Sequence, residues 1–102
     1  MIELNFQFRM KTGFYETRIY DLLISKGNLV FSPQESDDPP ITIPEEIVLN
    51  ISLKKNEKSF EMGIQTYEKT YQGLLVNNMD CELLLEELKE NISRNILCEY
   101  ER

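Results

Sequence analysis

Histidine is absent from this 102-residue chain, and so is tryptophan. Without histidine, the Ser-His-Asp and Cys-His arrangements of nucleophilic catalysis have no general base. Two cysteines with no imidazole are a poor ligand set for zinc. Gly13, Gly27, Gly63 and Gly73 stand apart from one another, so no glycine-rich loop is available to cradle a phosphate. No apolar run approaches the roughly 18 residues that cross a bilayer, and the N-terminus lacks the basic-then-apolar order of a signal peptide. Basic residues are too few for the acids, 11 against 18, and the formal net charge is −7. Such a surface repels nucleic-acid backbones and anionic headgroups unless a local patch overrides the average. The expectation is a cytoplasmic protein with no cofactor, no metal and no nucleic-acid partner, whose charge also argues against a membrane.

What is present is alternation. Ile2, Leu4, Phe6, Phe8 and Met10 are apolar, while Glu3, Asn5, Gln7, Arg9 and Lys11 between them are polar. A period of two marks a strand with one buried and one wet face. Similar segments recur as far as Val76, separated by turn-forming stretches such as Lys11-Thr12-Gly13 and Ser25-Lys26-Gly27-Asn28. From Asp80 the period lengthens: Cys81, Leu84, Leu85, Leu88, Ile92 and Ile96 recur every three or four residues, as on one helix face. The chain therefore reads as one domain over residues 1–102, mainly β within an α+β class. About seven antiparallel strands span roughly 2–76, and one amphipathic C-terminal helix spans roughly 78–97 and closes a small barrel.

Several local features sharpen this outline. The segment Phe14 to Ile24 changes phase midway, so a bulge near Ile19 and Tyr20 is expected. Ser32 to Pro40 carries three prolines and three carboxylates without apolar company, the composition of a surface loop. Its acids lack the alternating spacing and central glycine of a calcium loop. Ile47, Leu49, Ile51 and Leu53 fall on one strand face. Asn77 or Asn78 can cap the helix, and Glu90 and Arg94 are spaced as an i,i+4 pair. If Cys81 and Cys98 both lie on that helix, at about 1.5 Å rise per residue they are some 25 Å apart and stay reduced.

This pattern resembles the pleckstrin-homology fold, closest to its GRAM-like and bacterial members. The resembling residues are Ile41-Thr42-Ile43-Pro44-Glu45-Glu46-Ile47, then Phe60-Glu61-Met62-Gly63-Ile64-Gln65-Thr66, and Tyr71. The resemblance covers essentially the whole chain and implies a barrel of seven strands plugged by its terminal helix. Phosphoinositide-binding members place basic residues on the first two strands. Lys11 and Arg18 match the outer positions of that pattern and form the candidate lipid site, but Glu16 reverses the charge at the middle one. Peptide-binding members add a strand beside the terminal helix. The corresponding candidate edge here carries Val48, Asn50 and Ser52 on the wet side of the fifth strand, with Glu82, Glu86 and Glu90 on the wet side of the helix.

The functional expectation that follows is a non-catalytic module binding a protein, a peptide or a second copy of itself. A membrane-recruitment module for anionic lipid is the alternative, and a small enzyme or ligand carrier using the barrel mouth is a further one. Asp37 and Asp38 are adjacent loop residues, which seldom hold a fixed catalytic geometry. Cys81 near a helix N-terminus could be reactive, yet free cysteine more commonly serves as a small buried hydrophobe. Acids along an exposed helix also have a plain explanation in solubility.

Overall fold

The alternating segments become strands β1 (Asn5–Lys11), β2 (Thr17–Ser25), β3 (Asn28–Pro33), β4 (Ile41–Pro44), β5 (Val48–Lys55), β6 (Phe60–Thr66) and β7 (Thr70–Leu75). Helix α1 (Cys81–Asn91) follows, and then an eighth strand, β8 (Asn95–Tyr100). The structure, a computed structural model, describes residues 5–12, 16–35 and 37–100, without the side chain of Tyr100. The expectations for Ile2, Leu4, Gly13, Phe14 and Tyr15 lie outside the described residues.

The strands form one sheet in the order β4-β3-β2-β1-β7-β6-β5-β8. β1–β2, β2–β3, β3–β4, β5–β6 and β6–β7 pair antiparallel, and β1 also pairs antiparallel with β7. The sheet is not closed: β4 and β8 are its two ends, so the strands do not complete the expected barrel. The fold is mainly β within α+β, with eight described strands and one helix near the C-terminus.

The inner face is a single apolar cluster. Phe6 and Phe8 of β1, Leu22 of β2, Phe31 of β3, Ile51 of β5 and Met62 and Ile64 of β6 all lie in it, and Phe8 meets Phe31 edge-on at 6.3 Å. Leu84 and Leu88 of α1 are fully buried against these residues, and Cys81 and Ile92 join them. α1 is amphipathic because it covers this inner face while Glu82, Glu86 and Glu90 point to water. No helix among the described residues is long and apolar enough to cross a membrane.

Three expectations give way. β2 pairs with β1 without interruption from Thr17 to Leu23, so no bulge occurs at Ile19 and Tyr20; Tyr20 faces the core and Ile19 the outer surface. The irregularity lies in β5 instead, where Val48 opposes Thr66 but Asn50 opposes Gln65. The extra residue, Leu49, is left 38% exposed, and Val48 turns inward to 2% exposure beside Ile51 and Leu53. Val48 is thus a core residue and does not belong to the strand's wet side.

The helix also stops earlier than its apolar spacing predicts. The Asn91 carbonyl accepts from the Gly27 amide at 2.9 Å, and the Asn91 side chain turns back to the Glu87 carbonyl at 2.8 Å. Beyond it, the Ser93 amide donates to a Glu45 carboxylate oxygen at 2.7 Å and Arg94 Nε donates to the Glu45 carbonyl at 2.8 Å. These bonds hold the chain leaving α1 against the β2–β3 turn and a single 3-10 turn at Glu45–Ile47, and they take Arg94 away from Glu90. Freed from the helix, Asn95–Tyr100 extends and pairs in parallel with β5. Parallel neighbours need a crossover connection, and α1 provides it.

Candidate functional site

The proposed peptide edge on β5 is already occupied. Asn50 through Lys55 pair with Asn95 through Tyr100, so the backbone groups a ligand strand would use bond β8. Asn50 and Ser52 lie on the outer face of the sheet, where Asn50 Nδ2 donates to Gln65 Oε1 at 3.0 Å. Glu82, Glu86 and Glu90 are exposed on α1, which covers the inner face, the side opposite Asn50 and Ser52. The structure therefore does not bring these two groups together. What it offers instead is the outer edge of β8.

That edge has no described backbone partner: β8 ends the sheet, and no described backbone bond leaves it on the side away from β5. Its register places Ile96 beside Ile51 and Cys98 beside Leu53, hence toward the inner face. Leu97 points outward and is 56% exposed. The opposite end of the sheet differs in kind. β4 is four residues long, is preceded by Pro39 and Pro40 and ends on Pro44. Short length and proline protect an edge from added strands; β8 has neither device.

Between β8 and the start of α1 is a small cavity of about 50 Å³, lined in part by Leu53, Phe60, Cys81, Leu85 and Cys98. The two thiols are free, Cys81 buried and Cys98 exposed. The reversal at Asn91 brings both to one cavity, overturning the separation of some 25 Å that a continuous helix would impose. Glu82 and Glu99 line its rim together with Lys55.

The candidate lipid residues are also separated. Lys11 opposes Thr17 on the outer face, whereas Arg18 opposes Met10 and projects from the inner side at the sheet's end. Arg18 Nη1 is bonded to Asp38 Oδ2 at 3.0 Å, which ties the β3–β4 loop to β2. Lys69, from the same end, sits 4.7 Å above the Tyr71 ring. A depression of about 470 Å³ is lined by Arg9, Thr17, Arg18, Ile19, Pro33 and Glu35. Its lining includes two arginines and one glutamate, and among the described residues no cluster of three metal-ligating side chains forms there or elsewhere.

Sequence reasoning missed β8 because Leu88, Ile92 and Ile96 continue a spacing of four. The available signals were Asn91, a helix-ending residue, and the compact apolar run Ile96-Leu97-Cys98 behind polar Ser93, Arg94 and Asn95. No protein-family model matches the chain, and no curated protein matches it either.

Proposed function

We propose that this domain is a non-catalytic binding module for a protein, a peptide or a second copy of itself, of pleckstrin-homology-like design, that recognises its partner along the outer edge of β8. The observation that carries this reading is the outer edge of β8, which has no partner strand among the described residues, is six residues long and is free of proline and lysine. An open edge presents backbone donors and acceptors in register, so it accepts an added strand. The carboxylates Glu82, Glu86 and Glu90 on the exposed side of α1 would favour lysine- or arginine-bearing peptides and speed their encounter.

Recognition of anionic lipid has less support. Arg18 already bonds Asp38, Lys69 already stacks on Tyr71, and Lys11 faces the other side of the sheet. A headgroup would have to displace the first two contacts and approach Glu16, Glu35 and Asp37.

The test is a panel of extended peptides of graded charge, titrated into the full chain while amide exchange is followed. Binding should slow exchange in Asn95–Glu99, weaken with salt for basic peptides, and reverse its charge preference when Glu82, Glu86 and Glu90 are all replaced by lysine. Protection confined to Lys11, Arg18 and residues 33–40 would overturn the placement and favour the lipid reading.

A further inference from the structure

Backbone edges alone do not choose a partner; the side chains along them do. β8 reads Asn95-Ile96-Leu97-Cys98-Glu99-Tyr100. Two such strands can pair antiparallel about a two-fold axis perpendicular to the sheet, which leaves both cores on the same side. Paired residues then share a face, so they must be an even number of positions apart. Centring the axis on Leu97 places Leu97 against Leu97 and Asn95 against Glu99 on the outer face. On the inner face Ile96 meets Cys98. No like charges face each other anywhere in this register, and its middle three pairs are apolar on both sides except for the thiol. The one acid of this edge, Glu99, faces Asn95 in this register and not a second carboxylate, and no proline guards the edge as it does β4.

Resting on the binding-module reading, we infer that the occupant of the β8 edge is a second copy of this chain, giving a two-fold dimer whose sheets run continuously through paired β8 strands. The exposed apolar side chain nearest the axis, Leu97 at 56% exposure, loses water on pairing. Ile96, half-buried in one copy, becomes flanked on its open side by the partner copy. Each copy carries a formal charge of −7, so long-range repulsion opposes the association. Salt screens that repulsion and strengthens the dimer. A basic peptide on the same edge behaves in the opposite way, so the sign of the salt effect separates the two occupants.

The experiment measures the mass of the full chain by sedimentation equilibrium from micromolar to millimolar concentration, at low and high salt. The expected result is a monomer–dimer equilibrium that shifts toward dimer as salt rises. Leu97→Glu sets two carboxylates opposite each other at the axis and should weaken association by about tenfold or more; far-ultraviolet circular dichroism checks that the exposed substitution leaves the fold intact. Register is read by crosslinking in a Cys98→Ser background with oxidised glutathione. Leu97→Cys should give a covalent dimer, one thiol from each copy forming the interchain bond as the reagent is reduced to two glutathione thiols. Asn95→Cys, which faces Glu99, should not. A monomer at every concentration, a dimer indifferent to Leu97→Glu, or equal crosslinking by both cysteine variants would overturn the inference. A monomer whose β8 still takes up a peptide would overturn the dimer and leave the binding-module reading standing.

Discussion

Cys81 and Cys98 are chemically identical, but their positions divide them. Cys81 is the first residue of α1 and is packed into the core, while Cys98 lies exposed on β8. A thiol reagent should therefore modify one cysteine in the folded protein and two in denaturant, with the native adduct mapping to Cys98; rapid native modification of Cys81 would contradict its placement. Gly27 makes a second residue-scale test. Its φ of 78° lies in the left-handed region, and its amide bonds the last carbonyl of α1. Gly27→Ala should cost about 1–2 kcal/mol in urea unfolding, the usual penalty for a side chain in that conformation. Gly27→Asn should cost less, because asparagine visits the region readily. Equal costs would show that the lost conformational freedom is not the cause.

At the scale of elements, α1 is held by one stripe. Leu84 and Leu88 are fully buried, whereas Leu83 is 38% exposed on the same helix. Leu88→Ala should destabilise by about 2–5 kcal/mol, while Leu83→Ala should change stability by about 0.5 kcal/mol or less. Similar midpoints for the two variants would mean that α1 does not cover the sheet as described. The stripe was legible because burial of a helix face is a local, periodic demand. Its end was not, because Gly27 and Glu45, which hold the chain leaving Asn91, lie far away in sequence. Leu49 failed for a related reason: alternation predicts it inside, and only the pairing of β5 with β6 reveals the extra residue that turns Val48 inward.

For the whole molecule, the existence of strands β1 to β7 was legible from alternation and turn chemistry, which are local, although in β5 alternation assigned Val48 and Leu49 to the wrong faces. The strand order in the sheet, the failure of the strands to close, and the parallel β5–β8 pair depend on contacts between distant segments, which no single window of sequence carries. The candidate site suffered most from this. Glu82, Glu86 and Glu90 were correctly exposed, but the edge expected to accompany them on β5 is covered by the chain's own last strand.

Partner recognition as proposed requires β8 to be a terminal strand, bonded to β5 on one side and without a described partner on the other. Amide exchange followed residue by residue across Asn95–Glu99 tests it most directly. In dilute solution, amides pointing to β5 should be protected and their alternate neighbours should exchange quickly; at concentrations where the chain associates, the fast set should slow as well. Uniform protection continuing from Asn91 through Leu97, as in an unbroken helix, or association that leaves the fast amides unchanged, would contradict it.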